Sequence, residues 1–205
     1  MIAPSTFAGE VACADCIKLK TTLTLRPDGL FLLRSIDRTQ PQRRSRAVTS
    51  LGFWEQSSEP SELVLKSELE PPQYFAHLPD HRLKLLRQRS RPWHALLPDE
   101  LRLLPLVDDF SESFLMRGMV VYLAEAGRFK ECTSGRTWPI AAQGDNLELA
   151  RAYAAKPSIV GEPLFATIEA HFAQRLSPDG KGKEEVVIVD RHDGIQDARD
   201  CSMGP

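Results

Sequence analysis

No apolar run in this chain approaches the roughly 20 residues that a helix needs to cross a bilayer. The opening residues, Met1-Ile-Ala-Pro-Ser-Thr-Phe7, have neither the basic n-region nor the apolar h-region of a secretory leader. On these residues alone, the chain is either cytoplasmic or has lost a targeting segment. Catalytic fingerprints are missing too: there is no GxSxG, no P-loop and no dinucleotide-binding glycine pattern. Internal repeats and low-complexity segments are absent. A net charge of −2 gives no reason to expect nucleic acid or an anionic membrane surface as the main partner. Cysteine is scarce, at four residues.

What is present suits a folded, two-part protein. A hydrophobic content of 42% supports a core, and 26% charged residues is ordinary for a soluble chain. The length of 205 residues accommodates one large domain or two of about 100 residues each. Charge is unevenly distributed. Through Pro92 there are 14 Lys and Arg against 10 Asp and Glu; the remainder is 12 against 18. The first part is therefore +4 and the second −6, which favours two units with different surfaces.

The cysteines follow the same division: a local pair, Cys13 and Cys16, and a remote pair, Cys132 and Cys201. Four cysteines allow three pairings. The two charge regions favour Cys13–Cys16 and Cys132–Cys201, an arrangement that suits an oxidising compartment. The local pair is a CxxC that runs straight into Ile17-Lys-Leu-Lys-Thr-Thr-Leu-Thr-Leu25, an alternating strand pattern. Thiol-disulfide oxidoreductases place the first cysteine at a helix N-terminus, whose dipole stabilises the thiolate. A strand supplies no such activation. The pair reads as a structural clasp, with a redox switch or a Cu(I) thiolate site as alternatives. Two sulfurs alone make an incomplete copper site, and zinc would need two further ligands.

The first part reads as strands. Ile17, Leu19, Thr21, Leu23 and Leu25 share one face, with Lys18, Lys20, Thr22, Thr24 and Arg26 on the other. Arg26-Pro-Asp-Gly29 is a turn, with φ preset by Pro27 and positive φ tolerated at Gly29. Residues 30–36 return as the second arm, and further strands are expected at 48–55, 62–66, 73–77 and 81–87. Short, closely spaced strands indicate a small barrel or sandwich. Residues 37–46, with four arginines, read as a solvated loop. Residues 93–112, broken by Pro98 and Pro105, read as a connector.

The second part has its own order. Strands are expected at 115–124, 128–132 and 136–141, with turns at Gly127 and at 133–135. A helix over 146–155 follows, capped by Asp145 with Leu147, Ala150 and Ala154 on its apolar stripe, and stopped by Pro157. Strands at 164–175 and 184–190 complete the set. Three strands, a helix and two strands is the element order of an OB-type barrel.

The run Ala12-Cys-Ala-Asp-Cys-Ile-Lys-Leu-Lys-Thr-Thr-Leu-Thr-Leu-Arg-Pro-Asp-Gly29 resembles the N-terminal signature of NlpE-type lipoproteins. Met116-Arg-Gly-Met119, Phe129-Lys-Glu-Cys132, Leu147-Glu148, Ile168-Glu-Ala-His-Phe172 and Asp200-Cys-Ser202 carry the resemblance into the second half. Ala12 stands where the family commonly has proline, and Lys18 where it often has glycine. The resemblance implies an outer-membrane lipoprotein facing the periplasm, with a lipocalin-like barrel over residues 5–92 and an OB-fold-like domain over 113–203. It implies a link to copper tolerance, and activation of the two-component Cpx envelope-stress response through the periplasmic domain of a histidine kinase. The lipid anchor is implied by the resemblance and is not carried by these residues.

The remaining candidates read more plainly. His77, His81, His94, His171 and His192 are scattered, and the turn between His77 and His81 does not present both to one metal. Met116 and Met119 read as core rather than thioether ligands. Asp108 and Asp109 read as solvated connector carboxylates. Arg43, Arg44 and Arg46 read as a loop surface, with a lipid headgroup or acidic partner as the sharper alternative. The acidic balance of the second half argues against nucleic acid on the OB-like barrel. The expectation is an all-β, non-catalytic periplasmic sensor with minor α structure. A small hydrophobic-ligand carrier, or a thiol-disulfide or copper-binding protein acting through Cys13 and Cys16, is the alternative.

Overall fold

The computed structural model describes residues 4–12, 18–37, 47–57, 62–68, 70–86, 99–124, 126–157, 161–177, 180–196 and 200–201. They fall into two compact units, Met1–Phe110 and Ser111–Pro205. The expected loop of 37–46, with Arg43, Arg44 and Arg46, lies almost wholly outside the described residues, as do Cys13, Cys16 and His94.

In the first unit, period-2 alternation becomes a closed antiparallel barrel. Its strands are β1 (Ser5–Val11), β2 (Leu19–Leu25), β3 (Leu30–Asp37), β4 (Val48–Gln56), β5 (Glu62–Lys66), β6 (Gln73–Leu78), β7 (Arg82–Leu86) and β8 (Glu100–Leu103). Each pairs with the next, and β8 returns to β1 through Phe7 opposite Leu103 and Gly9 opposite Leu101. Closure removes both sheet edges, so among the described residues none of these eight strands is left as a template for other chains. The tight turn at 26–29 forms as its residues dictate: the Gly29 N–H donates to Arg26 O at 3.1 Å, with φ +86° at Gly29.

Three features of this unit differ from the sequence reading. Ser5–Val11 is not among the expected strands, yet it is β1, the partner of both β2 and β8. Residues 93–112 were expected to connect, yet Glu100–Leu103 is β8, the strand that closes the barrel. Four residues between prolines give too short a period-2 signal to be read locally; pairing with β1, some ninety positions away, defines the strand. The outward face of β2 is also more covered than alternation suggests, with Thr22 and Thr24 buried. Thr24 Oγ1 lies 2.6 Å from Thr6 Oγ1, which accepts the Asp108 N–H at 2.9 Å. The Leu104 N–H donates to Thr6 O at 2.7 Å. Asp108 pairs with Arg34 at 2.6 Å, and the Arg34 guanidinium stands 4.9 Å from the Phe110 ring centroid. Asp108 is therefore a strap contact on the barrel wall, not a solvated carboxylate; Asp109 is exposed.

The second unit comprises β9 (Phe114–Leu123), β10 (Ala126–Glu131), β11 (Thr137–Gly144), α1 (Asn146–Ala154), β12 (Leu164–Leu176) and β13 (Lys183–Gln196). Its closed barrel runs β9, β10, β11, β13, β12 and back to β9, with β11 and β13 parallel. A parallel pair needs a crossover, and α1 with β12 provides it. This is the OB arrangement. Register shifts between Ala166 and Ile168, and between Glu169 and Ala170, mark irregularities in the long β12–β13 pairing. Bulges of this kind bend a strand and increase its local twist. Phe114, Phe129, Phe165 and Val187 fill the core with no exposed surface.

Local details of this unit also depart from expectation. Gly127 lies within β10, not in a turn; a Cβ there would meet the Tyr122 ring at 2.7 Å. Asp145 makes no side-chain cap, and its Oδ2 instead faces His192 Nε2 at 3.6 Å. The buried face of α1 is Leu149 and Tyr153, while Leu147 and Ala154 are exposed. At about 100° per residue, Leu147 and Leu149 lie about 200° apart around the helix, so a stripe counted from Leu147 points to solvent when the barrel packs against Leu149.

Candidate functional site

In the first barrel, the inward residues of each strand alternate with outward ones. At mid-height Leu23, Phe31, Leu65, Leu83 and Leu101 are each at most 2% exposed and belong to one packed cluster. Gly52 makes this packing possible, since a Cβ there would lie 2.7 Å from Phe31 Cε1 and 2.1 Å from Lys66 O. The belt leaves a cavity toward each end of the bore. The smaller, about 240 Å³, is lined by Ser5, Phe7, Leu25, Trp54, Leu63 and His77 among others. The larger, about 370 Å³, lies at the Val11 end and mixes Val11, Leu33, Phe75 and Leu85 with Thr21, Ser35 and Ser50. Asp37, Glu70 and Gln73 also line it, and Gln73 Nε2 donates to Glu70 Oε2 at 3.0 Å.

The same end of the barrel holds the approach to the CxxC. Asp99, buried, accepts the Ala12 N–H on Oδ1 at 2.7 Å, and its carbonyl accepts the Leu85 N–H at 2.9 Å. The chain is thus fixed at the residue before Cys13. Cys13 and Cys16 themselves lie outside the described residues. Among the described residues no group of three or more His, Cys, Asp or Glu side chains is placed to hold a metal ion.

In the second unit Cys132 is bonded to Cys201, with S–S 2.04 Å and Cα–Cα 5.5 Å across 69 positions. The bond packs beside the buried Met119 and Phe165. Met116 and Met119 are both core residues. Glu131, buried at the end of β10, accepts the backbone N–H groups of Thr133 and Ser134 at 2.8 and 2.6 Å, fixing the turn that follows. The Tyr122 hydroxyl donates to Asn146 Oδ1 at 2.7 Å, and burial pushes its pKa well above the ordinary tyrosine value. Arg191 is held further in its charged form, first by its hydrogen bond to Glu169 and then by the charges of Glu169 and Asp193.

Among the histidines, His77 is exposed at the mouth of the smaller cavity and His81 occupies a turn at φ +54°. His171 Nδ1 lies 2.8 Å from Asp190 Oδ2, the same oxygen that accepts the Ser113 hydroxyl at 2.6 Å. A nucleophilic serine hands its proton to an imidazole. Here the hydroxyl points at the carboxylate instead, so the three residues do not form a nucleophile–base relay. The polar residues inside the first barrel went unnoticed in sequence as a group. Thr21 was placed on the inward face, but Ser35 and Ser50 sit in separate strands and converge only on closure.

An eight-stranded lipocalin-like meander barrel followed by a disulfide-stapled OB barrel defines a two-domain β protein. Family models match both units in order: the NlpE N-terminal domain over residues 7–95 and the NlpE C-terminal OB domain over 110–202. The chain belongs to the NlpE family. Lipoprotein NlpE of Escherichia coli (strain K12) is 26% identical over 203 residues, covering 97% of this chain and 81% of that protein. The crystal structure of the Cpx pathway activator NlpE from Escherichia coli is 25% identical, covers 98% of this chain and 99% of that one, and has a TM-score of 0.40. A putative lipoprotein from Shewanella oneidensis is 23% identical over 50% of this chain and 90% of its own, with a TM-score of 0.39.

Proposed function

We propose that this chain is a non-catalytic envelope-stress sensor, lipid-anchored at the periplasmic face of the outer membrane, that signals to the periplasmic domain of a two-component histidine kinase. The observation that carries the reading is the ordered match of both NlpE domains along one chain. The Cys132–Cys201 bond supports an oxidising compartment, where such bonds persist. A thiolate Cu(I) role for Cys13 and Cys16, linking the protein to copper homeostasis, belongs to the same proposal.

The test is a reporter driven by the Cpx response in cells lacking their own copy of the protein. Overproduction of the lipidated protein should raise reporter output, and deleting the kinase should abolish the rise. Output that stays flat, or rises equally without the kinase, overturns the signalling reading. For copper, Cu(I) is titrated into the reduced protein and its Cys13→Ser variant. Equal affinity removes the CxxC from any copper role.

A further inference from the structure

We infer that the 370 Å³ cavity at the Val11 end of the first barrel binds a small uncharged amphiphile, whose hydrogen-bonding head seats on Ser50. Ser50 is 5% exposed, and its Oγ has no hydrogen-bond partner among the described residues. Buried hydroxyls in folded proteins are nearly always paired, because leaving one unmade forfeits its hydration with no return. This one lines the larger cavity. Ser50 stands opposite Leu33, which in turn stands opposite Leu23 of the packed belt, so it lies at the cavity floor.

The walls extend the same chemistry upward. Thr21 and Ser35 face each other across β2 and β3 with their hydroxyl oxygens 3.4 Å apart, a long contact that leaves capacity on both. Together with Ser50 they make a hydroxyl stripe on β2, β3 and β4. Val11, Phe75 and Leu85 give the remaining wall an apolar face. A ligand matching both must carry a polar edge and a hydrocarbon body. Asp37 and Glu70 line the same cavity, and their carboxylates repel an anionic head. A fatty acid carboxylate is therefore disfavoured relative to the alcohol of the same chain.

Size narrows the class further. The volume falls at the small end of the roughly 300–1,000 Å³ typical of ligand pockets, and equals on the order of a dozen water volumes. The belt at Leu23, Phe31 and Leu83 closes the floor, so the site takes a short single-chain molecule and excludes a diacyl lipid. This inference concerns the barrel interior and does not depend on the signalling role.

The experiment is calorimetric titration of 1-octanol and of octanoate into the full chain and its Ser50→Ala variant. Octanol should bind with one site, and octanoate about tenfold more weakly or not at all. Ser50→Ala should weaken octanol by about five- to tenfold, the worth of one hydrogen bond. Its thermal midpoint without ligand should equal or exceed the parent's, because an unpaired buried hydroxyl is gone. Thr21→Val provides a second, shape-conserving variant with the same expected direction of effect on octanol. NMR shifts caused by octanol should fall on Leu33 and Phe75. Absence of binding, equal affinity in both variants, a lowered midpoint in Ser50→Ala, or shifts confined to Leu25 and Leu63 would each overturn the inference.

Discussion

Asp99 Oδ1 holds the backbone N–H of Ala12 at 2.7 Å, across 87 positions of sequence. The aspartate is 5% exposed and sits at φ +51°, a conformation that Asp and Asn tolerate better than other side-chain-bearing residues. One residue thus ties the end of β1 to β7, at the point where the chain leaves for Cys13.

Replacing Asp99 should show this directly. Asp99→Ala removes the acceptor from a buried donor and places a Cβ-bearing residue with no local hydrogen bond in the left-handed region. The expected cost is about 1–3 kcal/mol, with Asp99→Asn recovering most of it. Urea unfolding followed by circular dichroism measures both; an unchanged midpoint in Asp99→Ala would remove the anchor role.

Cys201→Ser opens the 69-residue separation closed by the bond to Cys132. The chain-entropy relation puts the loss at roughly 4 kcal/mol. The second barrel should then melt well below its disulfide-bonded form in scanning calorimetry. Identical thermograms for the variant and the parent would contradict this.

Gly52→Ala should damage the belt of the first barrel. Its Cβ would come within 2.1 Å of Lys66 O and 2.7 Å of Phe31 Cε1. Overpacking of this kind costs typically 1–3 kcal/mol, and here a backbone oxygen must also move. Adding Phe31→Leu should relieve only the ring's share. A double-mutant cycle that shows strict additivity would mean the ring does not contribute.

Tyr122 gives the molecule an alkaline limit. Its folded pKa lies above the unfolded value of about 10 because burial disfavours the phenolate. Its contribution is therefore fully present below pH 10 and is lost as pH rises above it. The Tyr122 phenol should resist ionisation in a tyrosinate-absorbance titration until the second barrel unfolds. Tyr122→Phe should flatten the alkaline fall in stability. Parallel pH curves for the two proteins would refute this.

Much of the strand pattern was legible along the chain. The strands later seen as β2 to β7, and the β–β–β–α–β–β order of the second unit, follow from period-2 alternation and from Gly and Pro punctuation, both local properties. Several features escaped, among them β1, whose run Ser-Thr-Phe-Ala-Gly-Glu-Val has no clean apolar alternation. β8 is too short to be recognised without β1 beside it. Asp108 reads as a solvated carboxylate until Arg34 and Thr6, more than 70 positions away, come within reach. The buried face of α1 depends on which side the barrel takes, and Leu149 rather than Leu147 meets it.

By itself, then, the sequence determined the alternation of faces, the tight turns at 26–29 and 133–135, the family signature and the availability of a remote cysteine pair. Each is carried by neighbouring residues or by their spacing. Only the tertiary structure decided that the first bore is blocked at mid-height and that three hydroxyls converge at one of its ends. Ser50, Thr21 and Ser35 come from three different strands, and alternation says only that each faces inward. What they face depends on barrel closure, on strand register and on the volume Gly52 cedes to Phe31.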